Sequence, residues 1–273
     1  MSNVLDSILK QYESNKSGTG TEKKKTDLRK YFAPFLPKGE TSGERTVRIL
    51  PPEDGASPFT EAWFHEVQID GKWQKLYDPG KNDNERSPIT EVNEALLMTG
   101  DPEDKVLARQ YRPRKFYVVR VIDRDNEEDG VKFWRFKHNF KGDGIMDKLI
   151  PLFQKKGDIT NPREGRDINL ILKAVKLPSG NGTYTTVSTI MTEDPSMLTT
   201  DAEKAKLWMA NKETYKDVYV RKDVEFLEKV SKGENPYERK EENNTPPSSS
   251  SVSDTTMKEL DKGSEINMDD MPF

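Results

Sequence analysis

Residues 109–141 constrain this chain most, because side chains that usually segregate are mixed there within the same short runs. Arg109, Arg112, Arg114, Lys115 and Arg120 come with no acid among them up to Val121. Asp123, Asp125, Glu127, Glu128 and Asp129 then cluster ahead of Gly130. Lys132, Arg135, Lys137 and Lys141 follow, with no acid between Val131 and Gly142. Tyr111, Phe116, Tyr117, Phe133, Trp134, Phe136 and Phe140 are interleaved with these cations. Aromatic and β-branched enrichment on both sides of an Asn/Asp/Gly-rich break predicts a β-hairpin with basic, aromatic strands and an acidic turn. Flat rings can stack on bases while cations follow phosphates, which is how a protein holds a single strand without reading its sequence. The same pattern also fits rings in a core and cations along a solvated edge. Mixing of the two residue types within single strands favours the binding surface.

Charge has to be divided before it can be read. Over the whole chain the net charge is −4, an unpromising value for a nucleic-acid binder. Residues 233–273 hold ten acids against four bases, net −6, which leaves net +2 for residues 1–232. A mildly basic body thus carries an acidic tail. Charged residues reach 34% and apolar ones only 32%, so part of the length is expected to stay unfolded. The absence of cysteine excludes disulfides and thiolate metal sites and fits a reducing compartment. No apolar run approaches the ~18 residues of a membrane span, and the N-terminus lacks a signal-peptide core, so a soluble, cytoplasmic protein without membrane contact is expected.

Along the chain, Val4, Leu5, Ile8, Leu9 and Tyr12 stand at helical spacing behind a capping Ser2. Such a helix is too short to be stable alone and needs a partner surface or a neighbouring copy; a frayed terminus is the alternative. Residues 14–26 form a Gly/Ser/Thr linker ending in Lys23, Lys24 and Lys25, a flexible basic arm. Residues 1–27 are therefore set apart from a globular body, residues 28–232, and from the acidic tail, residues 233–273. In the body, residues 46–50 read as a short strand carrying Arg48 and stopped by Pro51 and Pro52. Residues 59–69 and 72–77 flank Asp70-Gly71, a strong hairpin signal, with Trp73 and Tyr77 on the second strand. Residues 87–98 and 101–110 read as helices, the second with Pro102 just inside its start. Asp143 is placed to cap a helix over residues 144–156 that Pro151 should kink or shorten. Strands are predicted over residues 167–176 and 183–191, and a helical pair over residues 201–232 behind a Thr200/Glu203 capping box. Five or six short strands with interspersed helices suit a small closed or nearly closed barrel.

Four passages together resemble the single-stranded DNA-binding, helix-destabilising proteins of T-even-type tailed phages. They are Thr46-Val47-Arg48-Ile49-Leu50-Pro51, Asp70-Gly71-Lys72-Trp73, Val131-Lys132-Phe133-Trp134-Arg135-Phe136, and Asp158-Ile159-Thr160 through Leu172-Lys173. No one motif is specific; their order and spacing over residues 45–191 carry the resemblance. It implies a mainly β, OB-fold body (a five-stranded Greek-key barrel with inserted and C-terminal helices), a cleft for single-stranded DNA, an N-terminal segment for cooperative self-association, and an acidic, disordered tail for replication and recombination partners. It places Phe116, Tyr117, Trp134 and Tyr184 at the cleft as aromatics, and Arg112, Arg114 and Lys115 at the basic entry. Arg48, Trp73, Tyr77, Arg120, Lys132, Arg135, Phe136, Lys137 and Lys141 complete the expected DNA-binding set. The family's zinc site does not carry over: His65 stands at the position of a ligating histidine, the three cysteines are missing, and residues 87–97 replace the metal loop. No metal or other cofactor is expected. The last residues, Asp269, Asp270, Met271, Pro272 and Phe273, resemble the acidic tip of bacterial single-stranded DNA-binding proteins, which docks on partners through its Phe, its carboxylate and its acids. A random acidic end is the alternative.

The expected function is coating of exposed single-stranded DNA during phage replication, recombination and repair. An RNA-binding OB protein is the nearest rival, since stacking distinguishes sugars poorly. An enzyme is disfavoured: there is no phosphate-cradling Gly-rich loop, no His-Glu-x-x-His helix, no nucleophile elbow, and only two, widely separated histidines. A scaffold or virion component is disfavoured by the low apolar content of the ends.

Overall fold

The computed structural model describes residues 27–52, 55–177 and 182–237. The N-terminal helix, the basic arm and the acidic tip expected from the sequence lie outside these residues.

The described chain is a mixed α and β structure built on one eight-stranded sheet with seven α-helices. Its strands are β1 (Tyr31–Phe32), β2 (Ser42–Ile49), β3 (Thr60–Ile69), β4 (Lys72–Tyr77), β5 (Pro113–Asp123), β6 (Val131–Lys137), β7 (Arg166–Lys176) and β8 (Thr183–Pro195). The main path runs β1-β6-β5-β2-β7-β8, and β3 pairs with both β5 and β4 off that path. Among the described residues these pairings form an open sheet, where a closed five-stranded barrel was expected. The β3–β4 hairpin expected around Asp70-Gly71 branches off the first half of β5 (Phe64 opposite Arg114), and the short β1 is the strand that the sequence did not predict.

The hairpin over residues 113–137 forms as its sequence predicts, with Tyr117 opposite Phe136 and Val119 opposite Trp134. Asp70 and Gly71 join β3 to β4 with positive φ at both, 50° and 75°, the mirror-image turn whose twist matches that of the strands. The helices are α1 (Pro79–Asp83), α2 (Pro88–Met98), α3 (Pro102–Tyr111), α4 (Ile145–Lys156), α5 (Ala202–Met209), α6 (Tyr215–Val218) and α7 (Val224–Ser231). Prolines open α1, α2 and α3, where a missing N–H costs nothing. Asp101 caps α3 by accepting from Glu103 N at 2.7 Å. In α4 the Gly144 N–H donates to Asp147, and the helix runs through Pro151 to Lys156. The helical pair expected after residue 200 is three helices, the first capped by Asp201 and not by Thr200.

Both faces of β5 and β6 are covered. One face packs Val119, Val121, Trp134 and Phe136 against Ile49, Leu149 and Leu170. The other packs Phe116, Val118 and Phe133 against Phe64, Tyr77 and Tyr219. A third cluster joins Val67, Ile69 and Leu76 of the β3–β4 hairpin to Ile89 of α2 and Leu227 of α7. Each such side chain contributes about 1.5–3 kcal/mol by leaving water, so these clusters fix the position of everything around them.

Candidate functional site

Beyond Phe32 and its partner Trp134, β1 leaves β6, and a cavity of about 720 Å³ opens beside the rest of that strand. Its walls are β6 with the following loop (residues 138–144), the start of α4, the first residues of β8, and residues 31–34. Six cations line it, Lys75, Arg114, Arg135, Lys137, Lys141 and Lys148, against one acid, Asp143. Strands β4, β5 and β6, the loop after β6 and α4 therefore deliver positive charge to one place.

Each cation is held in its own way. Arg135 lies 4.3 Å from the Tyr219 ring centre and 4.6 Å from that of Phe64, so ring faces support its guanidinium without neutralising it. Arg114 donates to the Arg109 carbonyl at 3.2 Å, and its Nε stands 4.0 Å from Glu66. Lys137 is ion-paired with the same Glu66. Lys148 donates to the Asp143 carbonyl at 2.8 Å, which ties α4 to the loop. Asn139 accepts from Lys141 N at 2.8 Å and tightens the loop further.

The aromatics of the site form a graded series. Tyr117 tilts against Phe136 and meets the His138 ring edge-on at 5.6 Å; Phe140 meets the other end of that series at 4.3 Å from His138. Phe140 is 77% exposed. The Nδ1 of His138 is buried with no hydrogen-bond partner among the described residues. Tyr184, half-buried on β8, faces the same cavity.

The structure separates the residues singled out from the sequence. Arg114, Arg135, Lys137, Lys141 and Tyr184 come together at the cavity, whose wall also includes Phe116, Trp134 and Phe136. Arg112 is exposed at the end of α3. Lys115 and the half-buried Tyr117 lie on the opposite face of β5 from Arg114, with Lys115 paired to Glu61. Trp73 is 53% exposed, two residues along β4 from Lys75 and therefore on the same strand face.

Seven of the expected DNA-binding residues are buried or already bonded within the protein. Trp134 is 1% exposed, and Phe116 and Phe136 are equally sealed, because strands covered on both faces bury both of their side-chain sets. Tyr77 is buried and donates to Asp83 at 2.8 Å; burial, joined by that hydrogen bond, pushes its pKa up. Lys132 is buried between Asp123 at 3.1 Å and Asp129 at 2.9 Å. Arg48 is fully buried, bonded to Asp167, Ser196 and the Asn161 carbonyl. Burial pulls its pKa below the ordinary value, opposed by Asp167. Arg120 holds the carbonyls of Asn211 and Pro51 beside a separate recess of about 390 Å³.

Sequence reasoning missed Lys75 and Lys148 as wall residues, and it noted Phe140 among the interleaved rings without carrying it into the expected DNA-binding set. Only Phe140 carried a local signal, a large ring among Asn139, Lys141 and Gly142 in a loop. Where the resemblance puts a histidine but no zinc is expected, His65 Nδ1 lies 2.8 Å from the Tyr111 carbonyl, and its Nε2 lies 3.3 Å from Asp78, 3.5 Å from Ser87 and 3.4 Å from Thr90. This is a hydrogen-bonded junction of β3, α2 and the end of α3. Among the described residues no helix is long and apolar enough to cross a membrane. No family model matches the chain, and comparison with curated proteins finds no match.

Proposed function

We propose that the protein binds single-stranded nucleic acid, DNA in the first place, along the cationic cavity beside β6. The observation that carries this reading is the gathering of six cations and an exposed ring, Phe140, around one opening with a single acid. A strand with unpaired bases offers both a phosphate chain for the cations and flat faces for Phe140 and Tyr184. A duplex hides its base faces, so it can use only the charges.

We take β2, β5, β6, β7 and β8 as the five strands of an OB-type body. Support comes from the segment that follows β1: Tyr31 and Phe32 lie beside β6, and Leu36 N donates to Thr185 of β8 at 3.2 Å. One short segment thus links the two ends of the strand path and walls the cavity. Coating of DNA in phage replication, cooperative contacts through residues 1–27, and recruitment of replication and recombination proteins through residues 269–273 complete the proposal on the strength of the sequence resemblance.

The test is a fluorescence or electrophoretic titration with oligo-dT, a duplex of equal length and the matched RNA. Preference for oligo-dT over duplex, with affinity falling as salt rises, is expected. Equal affinity for single strand and duplex overturns the reading, and preference for RNA reassigns the ligand.

A further inference from the structure

Two cations of the cavity wall, Arg114 and Lys137, share one acid that does not itself line the cavity. Glu66 sits on β3 opposite Lys75 of β4, and its carboxylate is ion-paired with Lys137 and stands 4.0 Å from Arg114 Nε. Lys75, Arg114 and Lys137, contributed by β4, β5 and β6, all face the opening. The Glu66 side chain is about one-fifth exposed, set behind the two cations that it touches.

We propose that the Glu66 carboxylate is a built-in stand-in for a phosphate, occupying Lys137 and Arg114 until a nucleic-acid phosphate displaces it. A carboxylate and a phosphate present the same kind of anionic oxygens to ammonium and guanidinium donors. Glu66 is tethered to a strand buried on both sides of it in sequence, since His65 and Val67 point into the core. The carboxylate is therefore always at hand and cannot diffuse away when the site empties. Its consequence is a threshold: a ligand must bring enough phosphates to outcompete a resident anion, so isolated anions bind poorly and a continuous strand binds well. The inference rests on the proposed nucleic-acid reading and adds a regulator to that same site.

The experiment compares the full chain with E66Q and with E225Q, a control of equal charge change on α7, whose Glu225 pairs among the described residues with Lys229 of its own helix. Oligo-dT affinity is measured between 0.05 and 0.5 M salt, with folding checked by near-UV circular dichroism; these salt limits bracket roughly the range in which phosphate contacts dominate. E66Q is expected to bind about fivefold tighter at 0.1 M salt, with a log–log salt slope steeper by ~0.7 for each cation released. E225Q is expected to match the wild type. Should E66Q fold poorly, E66D, whose shorter arm withdraws the carboxylate from Lys137, is expected to shift affinity in the same direction. Unchanged or weaker binding by folded E66Q or E66D overturns the stand-in and makes Glu66 a residue that positions its cations. Failure of wild type and variants alike to bind oligo-dT sinks the nucleic-acid reading together with it.

Discussion

Two cation-bearing regions of this molecule are built in opposite ways. Around Arg48 and Arg124, every cation is answered: Asp167 accepts from both guanidiniums, Glu127 pairs with Arg124, and the carbonyls of Asn161, Ser196 and Leu198 take further donors. Around the cavity, six cations face an opening with a single acid in its wall. The first arrangement spends its charge on joining β2, β5, β7 and the loop before β7. The second also has partners, Glu66 for Lys137 and Arg114 and the carbonyls of Arg109 and Asp143 for Arg114 and Lys148, but it holds them at an opening. Positive charge alone therefore marks nothing; what distinguishes the regions is whether the cations are sealed inside the protein, as Arg48 is, or stand at an opening.

The sharpest break of this comparison comes from the ring expected in the cleft and found in the core. Trp134→Ala removes a side chain packed against Phe32 and Phe136 and should cost about 3–5 kcal/mol. A thermal melt should fall by roughly 10 °C. Arg48→Met comes next, at about 3 kcal/mol, because it strands buried acceptors while Arg124 still answers Asp167. Oligonucleotide affinity of the folded fraction should stay as it was. Phe140→Ala should do the reverse, weakening oligo-dT binding by about 1–3 kcal/mol with stability changed by no more than about 0.5 kcal/mol. A collapse of the melting temperature in that variant would make Phe140 a packing residue.

The smallest effect concerns the other inward-facing network. Burial opposes ionisation of Asp78, yet hydrogen bonds from His65 and the Gly80 N–H outweigh it, and its pKa lies below the ordinary 3.8. A depressed carboxylate pKa contributes stability that is fully present above 3.8 and is lost as pH falls through the folded value. Asp78→Asn should therefore destabilise the protein near neutrality, and the gap to wild type should close below pH 3.8 in denaturant melts. A gap that stays constant with pH would show that the carboxylate's charge is immaterial.

Elements with strong local chemistry were legible from the sequence. Asp70-Gly71 fixed its hairpin, Pro88 and Pro102 opened their helices, and the acidic turn of residues 124–130 separated β5 from β6 where expected. What could not be read was the direction of side chains on β5 and β6. Alternation assigns residues to two faces, but it identifies the wet face only if one face is wet. Here both are covered, so Phe116, Trp134 and Phe136 are core while Arg135 and Lys137 reach the opening beyond the edge of the strand. Lys75 and Lys148 were hidden for a different reason. Their place in the wall depends on how β4 and α4 pack, and nothing near them in sequence records it.

The early departure of β1 has one more consequence. Among the described residues, the outer side of β6 has no neighbouring strand from Arg135 to Lys137. Exposed strand margins invite other chains to add on and aggregate, and proteins blunt them with charged side chains. Arg135 and Lys137 stand at this margin, so the residues that make the opening attractive to a polyanion also make it repellent to a second sheet.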